Sequence, residues 1–395
     1  MNSVRSVIAS AASIALVSLT ITSPLSAGVC AYVANSGSDD VTVIETSTHT
    51  PLKTIPVGSL PRAVVISPDG RRVYVANGLS RTISVIDTAT QTVAATFASG
   101  RDPRGLALTS EGQRLYVTNG SSDAVSILDA SDGSSLGQVA VGNGPRGIAL
   151  SPDDSRAYVV TTVDDMLQVI DTDAEKVVDS VALANGPLDV VAAPDGKLLY
   201  VSDGNAVSVI HASSDVVVLD IRIGNSPSAL AVSPDAARLY ALNGNALFVI
   251  NLPDHVIDTN RLVASPHSVA VTPDSQRVYV TTANGVVVFD PTAHVVVPSI
   301  PVGVDPTALA IAEVGDGCAL QPGICVGDCD ASGTTTVDEV LALVRIALEF
   351  DPLSRCMRGD RNGDGFIAID EVLMAVRAVL EGCGAASLDI QQPAQ

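Results

Sequence analysis

Short apolar runs alternate with polar turns between residues 30 and 318, and no helical period occurs there. A typical unit begins with a proline and the apolar run Ala63–Ile66, which a Pro-Asp-Gly turn follows. Proline presets φ and glycine accepts positive φ, so the chain can reverse at this turn. Three more runs follow at Val73–Ala76, Ile83–Asp87 and Thr92–Phe97. The pattern therefore predicts four short strands in each unit.

The same unit recurs about every 40 residues, and this internal repeat dominates the chain. Six complete units run from residue 59 to residue 303. Residues 31–58 contain only strands two to four of a further unit, and residues 304–318 contain only its first strand. Four-stranded units at this period indicate a β-propeller. We therefore predict a mostly β fold of seven blades, in which both chain ends build the seventh.

Two sequence motifs characterise the repeat, Tyr74-Val-Ala-Asn77 and Tyr116-Val-Thr-Asn119, and they accompany the Ser-Pro-Asp-Gly turns. With these motifs the chain resembles the YVTN-type propeller repeats, a branch of the seven-bladed lactonase-like propellers. The resemblance covers about residues 30–318 and implies the fold. It implies little about activity, because propellers host many functions.

In a propeller the first strand of each blade lines the central channel, and the residue after the repeat proline is expected at its mouth. Around the ring these residues are Arg62, Arg104, Arg146, Leu188, Ser228, His267 and Thr307. Three successive arginines favour an anion or carboxylate site, since guanidinium groups bind such ligands bidentately. Alternatively, the arginines only pair with neighbouring aspartates or backbone carbonyls. The ligand-binding candidates are Arg62, Arg104, Arg146 and His267.

After Gly327 the pattern changes to two loop-and-helix units that are offset by 32 residues. The second loop fits the calcium pattern D-x-[DN]-x-[DN]-G-x5-E, and the first departs from it at Ser332. Ca²⁺ takes roughly six to eight oxygen ligands, and the alternation turns every second side chain inward. We therefore predict two calcium ions. The expected ligands are Asp328, Asp330, Ser332, Thr334, Thr336 and Glu339 in the first loop, and Asp360, Asn362, Asp364, Phe366 and Glu371 in the second.

The duplicated unit resembles a dockerin, a module of two calcium loops each followed by one helix, over about residues 325–384. The resemblance implies attachment to a cohesin-type partner. Glu339 and Glu371 end the loops, as in EF-hands, where dockerins usually have Asp, and the residues just before them differ from the small hydroxyl pairs of cohesin-binding dockerins. The partner thus stays open between a protein and a cell-surface or polysaccharide assembly. Residues 385–395 are expected to be a disordered tail.

The N-terminus has the pattern of an export signal: Arg5, an apolar run from Val7 to about Ile21, and small residues up to Gly28. A signal peptide over residues 1–28 is therefore predicted, with export to the periplasm or the extracellular space. A transmembrane anchor is the alternative, but the run of ~15 residues is shorter than the roughly 20 that a span needs. Lipoprotein processing at Cys30 is a further alternative.

The six cysteines of an exported chain favour disulfide bonds. In the repeat register Cys30 holds the place of Arg72, and Cys318 holds the place of Val73, twelve residues after the repeat proline. We therefore predict a Cys30–Cys318 bond that locks the ring. The remaining predicted pairs are Cys329–Cys383 and, by elimination, Cys325–Cys356. In the alternative, Cys318 pairs within the C-terminal cluster and Cys30 is lipidated or free.

The net charge of −21 argues against nucleic acid as a partner, because phosphate binding needs clustered Lys and Arg. No catalytic residue can be assigned, since the five His are scattered without metal-ligand spacing. Three functions stay open. The first is an exported, non-catalytic binding protein that the calcium module attaches to a partner or surface. The second is a lactonase-like or carbohydrate-related hydrolase, and the third is a component of a polysaccharide-degrading complex.

Overall fold

The computed structural model of the protein describes residues 28–224, 227–293, 295–314 and 318. This part of the chain forms 28 strands in seven antiparallel sheets of four strands each. The innermost strand of each sheet contacts that of the next sheet, and the last contacts the first, so the ring closes. The predicted mostly β propeller of seven blades is confirmed.

The strands follow the repeat, and each blade after the N-terminal segment begins at its innermost strand. The N-terminal strands are β1 (Gly28–Asn35), β2 (Asp40–Glu45) and β3 (Thr50–Pro56). The first blade contains β4 (Pro61–Ile66), β5 (Arg72–Asn77), β6 (Thr82–Asp87) and β7 (Thr92–Ala98). The second contains β8 (Pro103–Leu108), β9 (Arg114–Asn119), β10 (Ala124–Asp129) and β11 (Ser135–Ala140). The third contains β12 (Pro145–Leu150), β13 (Arg156–Thr161), β14 (Met166–Asp171) and β15 (Lys176–Ala182).

The second half of the ring repeats this order, with shorter innermost strands in two blades. The fourth blade contains β16 (Val190–Ala192), β17 (Leu198–Asp203), β18 (Ala206–His211) and β19 (Val216–Arg222). The fifth contains β20 (Ala229–Val232), β21 (Arg238–Asn243), β22 (Ala246–Asn251) and β23 (Val256–Leu262). The sixth contains β24 (Pro266–Val271), β25 (Val278–Thr282), β26 (Gly285–Asp290) and β27 (Val295–Ile300). The last strand is β28 (Pro306–Val314).

The seventh blade is built by both ends of the propeller, in the order β28-β1-β2-β3. Strand β28 pairs antiparallel with β1, so that Tyr32 lies opposite Ala310. Beyond β28 the chain reaches Cys318, which is disulfide-bonded to Cys30 across a sequence separation of 288 residues. Both cysteines are fully buried. The bond therefore ties together the two strands whose pairing closes the ring.

The repeat tyrosines fill the core between blades. All seven are at most 2% exposed: Tyr32, Tyr74, Tyr116, Tyr158, Tyr200, Tyr240 and Tyr279. The hydroxyl of Tyr74 donates to the carbonyl of Ala130 in the next blade at 2.7 Å, and that of Tyr279 donates to the carbonyl of Thr46 at 3.1 Å. Each of these bonds joins two neighbouring blades. The tyrosine of the repeat thus contributes both buried area and, at these positions, a directional contact.

Several predictions concern residues outside the described part of the chain. They are the signal peptide before Gly28, both calcium loops, the Cys329–Cys383 and Cys325–Cys356 bonds, and the tail. Among the residues that the structure describes, no helix has the length and apolar character that a membrane span requires.

Candidate functional site

A cavity of about 350 Å³ lies at one end of the central channel. All seven residues that follow the repeat prolines line it, as the register predicts: Arg62, Arg104, Arg146, Leu188, Ser228, His267 and Thr307. The next residue of each blade also lines it, and four blades add an apolar residue at the third place after the proline: Val64, Leu106, Ile148 and Leu309. The cavity, here called the cup, therefore has a polar rim and an apolar floor.

Asp102 partly neutralises two of the rim arginines. Its Oδ2 lies 2.7 Å from Nε of Arg104, which donates a hydrogen bond to it. Its Oδ1 lies 3.2 Å from Nε of Arg62, but without hydrogen-bond geometry, so that this buried nitrogen has no hydrogen-bond partner among the described residues. Asp102 precedes the repeat proline and has a positive φ of 55°. One carboxylate thus serves two guanidinium groups.

Two glycines make room for these arginines. A Cβ at Gly78 would lie 2.7 Å from Nε of Arg62, and one at Gly120 would lie 2.5 Å from Nε of Arg104. Both glycines directly follow the second strand of their blade. Any larger residue there would push the guanidinium group away from its present position. The loops of the first two blades are therefore shaped to hold the arginines at the rim.

Arg146 has a different environment from the other two. Within the described residues, no carboxylate lies at ion-pair distance from its guanidinium group. Burial lowers the pKa of Arg146, and the charges of Arg104 and Arg62 lower it further, while Asp102 opposes them. The three cations therefore repel one another across the rim. An anion placed between them would relieve this repulsion and accept hydrogen bonds from several donors.

Asp189 is the acidic side chain of the cup wall. It occupies the second place after the repeat proline, where the other blades have small residues: Ala63, Gly105, Gly147, Ala229, Ser268 and Ala308. Small residues are needed because the inner strands approach closely; a Cβ at Gly105 would lie 2.3 Å from the carbonyl oxygen of Arg146. Asp189 instead reaches the next blade, where its Oδ2 accepts a 2.9 Å hydrogen bond from the backbone N–H of Leu230.

Burial dominates the electrostatics of Asp189. It raises the pKa of Asp189 to about 6, although the backbone N–H groups of Leu230 and Val190 oppose the shift. The carboxyl group therefore changes its charge near pH 6 rather than near pH 4.

The remaining polar rim residues differ in their hydrogen bonding. Nδ1 of His267 lies 3.0 Å from the carbonyl oxygen of Pro306, which can only accept, so Nδ1 carries the proton. Thr307 donates to the carbonyl oxygen of Pro61 at 2.9 Å. The buried Oγ of Ser228 has no hydrogen-bond partner in the described part of the chain. A bound molecule or water is needed to satisfy it.

The sequence interpretation assigned Arg62, Arg104, Arg146 and His267 to the mouth, and the structure brings all four to one cavity. It missed Asp102 and Asp189. Both could have been found from the repeat, since one stands just before a repeat proline and the other is the charged exception at a position of small residues. Across residues 28–314, apart from 225, 226 and 294, no three His, Cys, Asp or Glu side chains are grouped as a metal site requires.

Comparisons with known proteins agree with the fold. Residues 2–111 match the model of a family described as YNCE-like beta-propeller. No curated protein matches the sequence. Among solved structures, Kuenenia stuttgartiensis hydrazine synthase aligns with a TM-score of 0.57 and 23% identity, covering 63% of this chain and 88% of the other. At such identity the likeness concerns the fold alone.

Two further structures have the same kind of likeness. A functionally unknown protein from Desulfotomaculum acetoxidans aligns with a TM-score of 0.61 and 15% identity, over 72% of this chain and 99% of the other. The dihydro-heme d1 dehydrogenase NirN, solved in complex with DHE, aligns with a TM-score of 0.57 and 17% identity, over 73% and 76%. These proteins support the propeller architecture of the chain and carry no argument about its ligand.

Proposed function

We propose that the chain is an exported binding protein whose propeller holds a small anionic ligand in the cup. The observation that carries this proposal is the arc of Arg62, Arg104 and Arg146, of which the last has no carboxylate at ion-pair distance in the described structure. The arc is positive in a protein of net charge −21. Fixed guanidinium groups in a partly desolvated cavity are suited to bidentate binding of a carboxylate or another oxyanion.

Residues 325–384 follow the propeller in the sequence. Their two loop patterns support a module that binds two calcium ions and attaches the propeller to a protein, a cell surface or a polysaccharide assembly. The apolar run before Gly28 supports export. In this arrangement the propeller binds the ligand, and the calcium module determines where the protein is attached.

Replacement of Arg146 by Gln should weaken anion binding by about tenfold to a hundredfold, because a hydrogen bond to a charged group contributes about 1.5–3 kcal/mol. The measurement is calorimetric titration of the full exported chain with sulfate and with citrate. Arg101→Gln is the matched control, since Arg101 is exposed and does not line the cup. Equal affinities for the two variants would show that Arg146 does not contact the anion.

Removal of calcium should expose the C-terminal module to proteases and leave the propeller intact. Six acidic side chains gather in the two loops, and their repulsion opposes folding when no cation is bound: Asp328, Asp330, Glu339, Asp360, Asp364 and Glu371. A module of ~60 residues has too small a core to resist this without a metal or a staple. Limited proteolysis of the full chain with calcium or EDTA, followed by mass spectrometry, checks the prediction.

The calcium stoichiometry gives the matched control for that experiment. The intact chain should bind two ions, and Glu371→Gln should bind one, because this variant removes the bidentate ligand of the second loop only. A chain that binds no calcium, or that is cleaved identically with and without EDTA, would contradict the calcium module and leave the anion site unaffected.

A further inference from the structure

We infer that the ligand of the cup is a small zwitterion of the amino-acid class, whose carboxylate lies on the arginine arc and whose ammonium group contacts Asp189. The inference rests on the proposed anion site and adds a second contact to it. A carboxyl group and an unpartnered hydroxyl support it, and both lie on the wall of blades four and five, which follows Arg146 of blade three.

The carboxyl group of Asp189 has remaining capacity to accept hydrogen bonds. It accepts one bond from the N–H of Val190 at 2.9 Å and one from the N–H of Leu230 at 2.9 Å. A carboxylate offers about four lone-pair sites, so about two remain for a donor in the cup. No cation lies at ion-pair distance from Asp189 within the described residues. A carboxylate that is largely removed from water without a cation is costly, and an ammonium group would offset that cost.

Ser228 adds a second polar atom to the same wall. Its buried Oγ lacks a partner among the described residues, and Ser228 precedes by two residues the Leu230 whose N–H binds Asp189. A hydroxyl can accept as well as donate. An ammonium group has three donors, so one group can bond both Asp189 and Ser228, which a single hydroxyl of a ligand cannot do as a donor.

The ring order places this wall next to the last of the three arginines. Arg62, Arg104 and Arg146 belong to blades one to three, whereas Asp189 belongs to blade four and Ser228 to blade five. Blade four directly adjoins blade three, and a Cβ at Gly147, the neighbour of Arg146, would lie 2.9 Å from Oδ1 of Asp189. A free amino acid carries its carboxylate and its ammonium group on one carbon atom, so these two groups can contact Arg146 and Asp189 at once. A ligand with a second anionic group in place of the ammonium group would hold that group against Asp189.

The size and floor of the cup limit the rest of the ligand. The volume of about 350 Å³ lies at the small end of ligand pockets, which span roughly 300–1,000 Å³. The floor consists of Val64, Leu106, Ile148 and Leu309, which favour an apolar substituent. These features together describe a free amino acid with an aliphatic side chain better than a sugar or a dicarboxylate.

The test is calorimetric titration of the full exported chain with four matched probes. They are L-valine, 3-methylbutanoate, which lacks the amine, 2-hydroxy-3-methylbutanoate, which has a hydroxyl in its place, and 2-methylpropylamine, which lacks the carboxylate. L-valine should bind at least about tenfold more tightly than each of the other three. Equal binding of the hydroxy acid would show that a hydroxyl is recognised, and equal binding of 3-methylbutanoate would show that Asp189 contacts no donor; either result overturns the inference.

Three variants distinguish recognition of the ammonium group from binding of the carboxylate. Ser228→Ala should reduce the preference for L-valine over 3-methylbutanoate by a few fold, and Asp189→Asn should abolish it. Arg146→Gln should weaken both probes alike. If sulfate and 3-methylbutanoate bind but L-valine has no advantage, the zwitterion inference is wrong and the anion site stands. If no anion binds, the anion site itself is wrong. The probes are compared first on the wild-type chain, so the test does not depend on the folding of Asp189→Asn.

Discussion

Loss of the Cys30–Cys318 disulfide is expected to lower the free energy of unfolding of the propeller by on the order of 5 kcal/mol. The bond closes a loop across a sequence separation of 288 residues, and a cross-link over so long a loop removes much conformational entropy from the unfolded chain. It also joins β1 to the segment that follows β28, where the ring would otherwise be held by strand pairing and packing alone.

The measurement is denaturant unfolding of a Cys30→Ser/Cys318→Ser variant against the wild-type chain, both in the oxidised state. A Cys329→Ser/Cys383→Ser variant is the matched control, because it removes two cysteines outside the propeller and should leave the propeller transition unchanged. In native-state hydrogen exchange, β28 and β1 should lose more protection than β12 in the first variant.

Peptide mapping of the non-reduced protein decides the connectivity. A Cys30 peptide linked to Cys318 is the expected result. A Cys30 peptide that is alkylated or lipid-modified, or a Cys318 peptide linked to another cysteine, would rule out the lock and the stability difference that depends on it.

The repeat explains why so much of the propeller could be predicted. Side chains along a strand alternate with a period of two, and turn-forming residues end each unit. The sequence therefore predicts both the positions of the strands and the number of blades. The first strand of the first complete unit was predicted to begin at Ala63, and the strand begins at Pro61. The closing blade followed by counting, since the missing first strand of the N-terminal unit reappears at Pro306.

The rim could be predicted for the same reason, but its chemistry could not. Register alone places Arg62, Arg104 and Arg146 at equivalent points of consecutive blades. Whether each is paired depends on distances between blades, which no repeat encodes. The carboxylate of Asp102 reaches two arginines, whereas the equivalent Gly144, whose φ is also positive, provides no side chain to Arg146.

Asp189 marks the limit of sequence reasoning in this fold. Its position belongs to a series of small residues that permit the close approach of inner strands, and the sequence does not show how a longer side chain is accommodated there. The structure shows that it crosses to the N–H of Leu230 in the next blade. A tertiary hydrogen bond thus replaces the close packing that glycine provides at Gly105 and Gly147.

Between pH 4 and pH 8, the wild-type chain should lose about 2–3 kcal/mol of unfolding free energy relative to an Asp189→Asn variant. Burial raises the pKa of Asp189 from 3.8 to about 6, so the folded state holds this proton more tightly than the unfolded state does. The contribution of the group is therefore fully present below pH 3.8, declines as the pH rises towards 6, and is lost above it. The amide that replaces the carboxyl group does not titrate, so the variant lacks this decline.

The difference in slope, rather than the stability at one pH, is the quantity to measure by denaturant unfolding. The amide introduced by Asp189→Asn would present an NH₂ group near the N–H groups that now bind the carboxylate, which adds a cost at every pH and cancels in the slope. Asp164→Asn is the matched control. The side chain and backbone of Asn143 lower the pKa of Asp164 below 3.8, so its contribution is already largely present at pH 4, and its removal should leave the slope between pH 4 and pH 8 nearly unchanged. Parallel curves for wild type and Asp189→Asn would show that Asp189 titrates at its ordinary pKa, and the cup would then hold an ionised carboxylate above about pH 5.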